Sequence, residues 1–185
     1  MIILGITGTL GAGKGTIVDY LAREKGFAHF SVRSFLLEEI RARDLPENRD
    51  SMFRLANELR AQYGPSYVVD RLYDRAAESR KNCIIESIRT TGEIASLRKK
   101  GRFILLAVDA DPLIRYERIL QRASETDRVS FETFLENEKR EMSADNPGRQ
   151  DLASCIRMAD HLLENNGSIP ELLGKVEDVL NLITG

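Results

Sequence analysis

The chain contains no tryptophan and only two cysteines in 185 residues. Cys83 and Cys155 are too few for a disulfide framework and have no metal-ligand spacing. Both sit among apolar neighbours and are expected as reduced core residues. The two histidines, His29 and His161, fall in apolar strand patterns and read as strand residues rather than catalysts. No apolar run approaches the ~18 residues of a membrane-crossing helix. The apolar N-terminus is short, lacks a basic flank, and reads as a strand rather than a signal peptide. An excess of one charge is missing too. With 27 basic and 29 acidic residues, the net charge of −2 argues against a general nucleic-acid or membrane-surface binder. There is no internal repeat and no low-complexity segment. These absences leave a cytoplasmic chain long enough for one well-buried domain, with its oligomeric state open.

The informative segment is Gly8-Thr9-Leu10-Gly11-Ala12-Gly13-Lys14-Gly15-Thr16, directly after the apolar run Ile2-Ile3-Leu4-Gly5-Ile6. A buried strand runs into a glycine-rich turn, then a lysine, then a helical pattern. The spacing matches G-x-x-x-x-G-K, the phosphate-binding P-loop, in the strand-before, helix-after context that the motif requires. Glycines let the backbone curl so that successive N–H groups face an anion. The following helix adds the positive end of its dipole. Lys14 brings a mobile charge to the β- and γ-phosphates. Gly11, Ala12, Gly13, Lys14, Gly15 and Thr16 are therefore the candidate ATP-binding residues. The usual hydroxyl directly after the lysine is replaced by Gly15, and Thr16 follows one position later. A loop built this way leaves Mg²⁺ to Thr16 and to water anchored by a carboxylate elsewhere. Lys14-Gly15-Thr16 in this slot resembles the adenylate kinase group of nucleoside monophosphate kinases.

Apolar runs at 2–7, 28–31, 83–87, 103–109 and 161–164 read as buried parallel strands. Helical patterns at 16–24, 93–99, 112–122 and 169–183 lie between or after them, with Asp111 and Ser168 as N-caps. Alternation of this kind predicts an α/β parallel sheet with right-handed crossovers, whose ligands bind beyond the carboxyl ends of the strands. Two intervals exceed simple crossovers. Three helices are expected at 34–43, 50–63 and 66–79. A polar loop at 123–129, a helix at 131–142, the turn Asn146-Pro147-Gly148 and a helix at 151–158 fill the second interval. The expected organisation is a core of 1–31, 80–122 and 159–185, a substrate-binding insert at 32–79 and a lid at 123–150.

The third strand ends in Glu86-Ser87-Ile88-Arg89. Its carboxylate is delivered to the ligand edge, where it would orient Mg²⁺-bound water, and Arg89 lies where a second phosphate would sit. The group is similar to the Asp-Gly-x-x-Arg of monophosphate kinases, with Glu for Asp and Ser for Gly. After the fourth strand, Arg115, Arg118 and Arg122 share a helical face. Arg118 and Arg122 resemble the Arg-x-x-x-Arg beside the lid of adenylate kinases, which implies a base contact for the first and a phosphate contact for the second. Arg115 reads instead as part of a solvated face, neutralised by Asp111, Glu117 and Glu125. Arg128, Arg140 and Arg149 are further lid candidates. The ending Ala159-Asp160 to Asn165-Asn166-Gly167 resembles the adenine-holding turn of several P-loop small-molecule kinases, which implies donor contacts at Asn166 and Gly167.

A hydroxyl acceptor needs a base for its proton, whereas a phosphate acceptor needs positive charge. P-loop kinases for hydroxyls, such as those for dephospho-coenzyme A and shikimate, carry a carboxylate just after the second strand. This chain reads Phe30-Ser31-Val32-Arg33-Ser34-Phe35-Leu36 there, with no acid before Glu38. The candidate acceptor residues are Ser31, Arg33, Arg41, Arg60 and Arg89. Lys14, Arg89 and Arg122 are the candidate catalytic cations, and Glu86 with Thr16 the candidate metal residues. The expectation is a three-layer P-loop NTPase fold with a five-stranded parallel sheet, transferring phosphoryl from ATP to a (deoxy)nucleoside monophosphate with Mg²⁺. A dephospho-coenzyme A kinase or other hydroxyl kinase, and a nucleotide-binding regulatory ATPase, stay open as alternatives.

Overall fold

The computed structural model describes residues 1–122, 129–142 and 150–184. Five strands form one parallel sheet: β1 (Ile3–Gly8), β2 (Ala28–Ser31), β3 (Cys83–Glu86), β4 (Phe103–Asp109) and β5 (His161–Glu164), in the order β2-β3-β1-β4-β5. The three central strands are apolar on both faces, as burial on two sides demands. Successive side chains alternate between two cores. Ile3, Cys83, Ile85, Phe103 and Leu105 pack with the helices of the first long insert. Leu4, Ile6, Ile84, Leu106 and Val108 pack on the opposite face with α1 (Lys14–Arg23) and α9 (Ile169–Thr184). Gly5 is the exception in this pattern. A Cβ there would lie within 2.6 Å of Ile88 and Phe103 side-chain atoms, so the missing side chain makes room for both.

The first insert is α2 (Val32–Ala42), α3 (Arg49–Tyr63) and α4 (Tyr67–Ser79). Ser31 and Asn48 cap the first two by accepting from Ser34 and Ser51 N–H groups. Leu36, Ile40, Leu55, Leu59, Val69 and Leu72 fold this insert onto the sheet rather than leaving it separate. After β3, α5 (Thr91–Lys100) opens with a reciprocal Thr90–Glu93 capping box. After β4 come α6 (Pro112–Gln121), α7 (Phe131–Met142) and α8 (Leu152–Arg157). Asp111 caps α6 as expected, and Ser168 accepts from Glu171 N–H at the start of α9.

Element boundaries differ from the sequence expectation by a residue or two. The starts of α1, α2 and α5 each move two residues earlier, and α1 begins at Lys14 because Gly13 takes the cap position with a positive φ of 104°. Both cysteines are free and buried, and burial pushes the Cys155 thiol up to about 12. Among the described residues, no helix is long and apolar enough to cross a membrane. Most of the expected polar loop at 123–129, the Asn146–Gly148 turn, Arg128 and Arg149 lie outside the described residues.

Candidate active site

β1 lies at the centre of the sheet, so the loop leaving its carboxyl end emerges between β3 and β4. The loop's shape is dictated by close backbone approach. Gly8 has φ 134°, and a Cβ there would lie 2.0 Å from the Val108 carbonyl oxygen. Gly13, also at positive φ, would place a Cβ 2.5 Å from Asn165 Nδ2. Gly15 is different: nothing lies within 4 Å of its would-be Cβ. Its lack of a side chain is therefore not imposed by packing. Thr16 sits half-buried in the first turn of α1.

Two residues that the sequence reading passes over brace the loop. Thr9, fully buried, donates to Asp109 Oδ1 at 2.6 Å, which ties the loop to the end of β4. Asn165 donates through Nδ2 to the Ala12 carbonyl at 2.8 Å and through its backbone N–H to the Asp109 carbonyl at 2.7 Å. The signal for Asn165 was in the spacing, since the N-x-G ending places its asparagine there. Its neighbour Asn166 accepts from the Asp111 N–H instead.

Lys14 Nζ donates to the Gly8 and Thr9 carbonyls at 2.8 and 2.7 Å. Its pKa is lowered from 10.5 to about 8, first by burial and then by repulsion from Arg89, with a smaller contribution from Arg122. Glu141 and Glu86 act in the opposite direction. This electrostatic coupling places Lys14, Arg89, Arg122 and Glu86 in one neighbourhood, as the sequence reading expects. It also adds Glu141, which that reading did not single out.

Glu86 is half-buried at the end of β3, in register with Ser31 on β2. His29 Nε2 lies 3.5 Å from Glu86 Oε1. A hydrogen bond from His29, assisted by Ser31 and by the charge of Lys14, holds the carboxyl below its usual range despite its burial. His29 is thus a strand residue, as expected, and also a partner of Glu86. Ser87, directly after it, has φ 68°. Glycine would adopt this conformation freely, while serine is held in it.

Arg89 donates through Nη1 to Glu141 Oε2 and to Gln150 Oε1, each at 3.3 Å. Its backbone is fixed from both sides. Its N–H donates to Glu93 Oε2 at 2.9 Å, and its carbonyl accepts from Asp151 N–H at 2.9 Å. Glu93 is fully buried, which pushes its carboxyl up, and Arg60 Nη2 lies 3.6 Å away. Arg60 is therefore tucked against the base of the Arg89 loop, with Nε buried and unpartnered among the described residues. Arg33 is exposed in the first turn of α2. Arg41, also exposed, forms a bidentate pair with Glu47, both bonds at 2.8 Å. Arg122 caps α6 at an exposed position, and Arg140 is exposed on α7.

Arg118 crosses to the β5–α9 turn, donating to the Asn165 and Gly167 carbonyls at 2.9 and 3.2 Å. It is brought together with Asn166 and Gly167 as expected. Arg115 corrects the expectation of a solvated face, because it is only 2% exposed. It donates to the Ala110 and Leu10 carbonyls, pairs with both oxygens of Glu138 on α7, and stacks over Phe134. The cause is α7, which covers α6 through a Tyr116–Phe131–Phe134 aromatic cluster. Sequence periodicity showed the face of α6 but not what packs on it.

Comparison with known proteins agrees with this architecture. A UPF0200 protein of Hyperthermus butylicus is 27% identical over 185 residues, covering all of this chain and 96% of its own length. One from Sulfurisphaera tokodaii is 28% identical over 98% of this chain and 97% of its own. Among solved structures, TT1252 from Thermus thermophilus superposes with a TM-score of 0.66 at 22% identity, covering 100% of this chain and 98% of its own. Shikimate kinase from Aquifex aeolicus superposes with a TM-score of 0.58 at 16% identity over the full length of both chains. The fold is that of the P-loop kinases. The sequence model of the AAA domain family matches residues 4–143, and the chain belongs to that family.

Proposed function

We propose that this chain is a P-loop kinase that moves the γ-phosphoryl group of ATP to a phosphate-bearing acceptor, a nucleoside or deoxynucleoside monophosphate. The observation that carries the reading is the concentration of positive charge around Lys14. Arg89 and Arg122 both lie close enough to depress its pKa. Glu141 and Glu86 offset part of that charge, and the cations beyond them suit two phosphate groups facing each other. The loop backbone of residues 8–16 would cradle the donor phosphates. Arg118, lying over the Asn165–Gly167 turn, would hold the donor base. Arg89, with Arg33 at the mouth of the insert, would hold the acceptor phosphate. Arg122 would share the charge of the transferred group.

The donor set also suits Mg²⁺, which keeps several waters and takes one or two carboxylates plus substrate phosphates. Glu86 is an ionised carboxylate beside Lys14. Among the described residues there is no cluster of three or more acidic, histidine or cysteine side chains to hold a metal unaided. Glu86 through water, and Thr16, would hold an ion that arrives with the nucleotide. The ion would offset charge on the donor phosphates.

A hydroxyl acceptor such as dephospho-coenzyme A is the second reading. Glu86 favours it in one respect, since an ionised carboxylate near the acceptor is also able to take a proton. Arg33 in place of an acid after β2 counts against it. ADP release measured across nucleoside and deoxynucleoside monophosphates, with dephospho-coenzyme A as comparator, separates the two. Turnover with the last alone overturns the phosphate-acceptor reading. ATP binding without turnover on any of them favours a regulatory ATPase. Lys14→Ala is expected to abolish turnover while the protein stays folded. Surviving activity would put the transfer site elsewhere.

A further inference from the structure

α7 carries two carboxylates on one face, Glu138 and Glu141, three residues apart. The helix is anchored by the aromatic cluster on α6 and by the buried Arg115–Glu138 pair. That anchoring presents Glu141 to Arg89. One nitrogen of the guanidinium, Nη1, meets two oxygens there, from the Glu141 carboxylate and the Gln150 side-chain amide, each at 3.3 Å. Arg89 is also the residue whose backbone is held on both sides. The loop thus holds the backbone of a cation whose Nη1 already meets two of the protein's own oxygens.

We propose that Glu141 is an internal competitor for the acceptor phosphate, a carboxylate that occupies Arg89 until a phosphate replaces it, and so a determinant of acceptor selection. The inference rests on the phosphate-acceptor reading of Arg89 and names what regulates that site. Three features argue for it. Glu141 neutralises the cluster as a phosphate would, since its charge helps Lys14 stay protonated. The pair is partly exposed, with side chains 38% and 29% accessible, so it is weak enough to be displaced. A phosphate dianion brings more charge to Arg89 than the carboxylate it displaces, whereas a neutral or singly charged group does not. Glu141 therefore sets a threshold that favours dianions.

The test is calorimetric titration of inorganic phosphate into the full chain already saturated with ADP, so that the P-loop is filled first. Glu141→Gln keeps the shape and removes the charge. It is expected to tighten phosphate binding about fivefold, the scale of one partly exposed ion pair. Glu136→Gln, an exposed charge on the same helix, is expected to change it less than about twofold. In an Arg89→Ala background, Glu141→Gln is expected to give no tightening. Unchanged or weakened phosphate binding by folded, ADP-saturated Glu141→Gln overturns the proposal while leaving the donor reading intact. Equal tightening with Arg89 absent also overturns it, since the effect would then be general charge. Failure of the wild-type chain to bind ADP overturns the P-loop donor reading and the proposal with it. Unfolding midpoints confirm that each variant is folded. Should Glu141→Gln unfold, Glu141→Asp, whose shorter reach weakens its hold on Arg89, is expected to tighten phosphate binding to a lesser degree, and unchanged or weaker binding by it overturns the proposal.

Discussion

Lys14 gives the sharpest quantitative prediction, because its charge state is set by the site itself. Burial and Arg89 lower its pKa to about 8. Bound nucleotide phosphates reverse that balance and keep the ammonium charged in the complex. In the free protein at about pH 7, roughly nine in ten Lys14 side chains carry the proton, and at about pH 9 roughly one in ten do. ADP affinity is therefore expected to fall about tenfold between these values, with uptake of nearly one proton per ADP at the upper end. Titration calorimetry in two buffers of different ionisation enthalpy measures both quantities. Stability should move the other way. Between about pH 8 and the unfolded value of 10.5, the unfolded chain binds the proton and the native chain does not, so unfolding free energy rises with pH. The full shift corresponds to about 3 kcal/mol, read as the difference between the wild type and Lys14→Met in urea titrations across this window. Affinity that stays flat from about pH 7 to about pH 9 without proton uptake would mean that Lys14 does not change its charge on binding ADP.

Other perturbations test the frame around the lysine. Arg115→Ala strands the carboxylate of Glu138, which is only 16% exposed, and removes two carbonyl contacts. Breaking a buried pair from one side costs about 3 kcal/mol, so urea denaturation should show a loss of that order. A loss below ~1 kcal/mol would mean that α7 is not held through this pair. Ser87→Val is expected to destabilise by about 2 kcal/mol, because a β-branched residue resists the φ of 68°. Ser87→Gly should be nearly neutral, since relief of strain is offset by the greater freedom of glycine when unfolded. Equal effects of the two would remove the backbone argument. Gly15→Ala meets nothing within 4 Å and lies inside α1, so it is expected to stabilise the free protein by up to about 1 kcal/mol. Destabilisation in the same denaturant assay would show that this position is constrained after all.

The sheet, its helices and the position of the P-loop were legible because they depend on local rules. Apolar runs of strand length, glycine spacing and caps such as Asp111 act over a few residues. Glu86 and Arg89 were legible for a related reason: β3 lies beside β1, so its carboxyl end must face the same loop. What stayed hidden depends on contacts between distant segments. Thr9 meets Asp109 across 100 residues, and Asn165 reaches Ala12 across 153. Arg115 looked solvated because its helix face is polar, and only the arrival of Phe134 and Glu138 from α7 buries it. His29 read as an ordinary strand residue because nothing in its own segment marks Glu86 as its partner. Arg41 illustrates the converse: an arginine in the expected insert finds a surface partner only six residues away.

The same contacts bear on the choice of acceptor, which the P-loop leaves open. A hydroxyl acceptor would leave Arg89 bound to Glu141 and would call on Glu86 as the proton acceptor. A phosphate acceptor would displace Glu141 and leave Glu86 to the metal-bound water. The two readings therefore assign opposite sensitivities to two carboxylates. For a phosphate acceptor, Glu141→Gln lowers the acceptor KM, while Glu86→Gln lowers kcat and raises the Mg²⁺ requirement. For a hydroxyl acceptor, Glu141→Gln leaves the acceptor KM unchanged, and Glu86→Gln lowers kcat with a loss that diminishes at high pH, as hydroxide takes over the role of base. The split follows from charge alone. Either the protein's own carboxylate or the substrate's phosphate takes the charge of Arg89, which in the free chain meets Glu141 through Nη1.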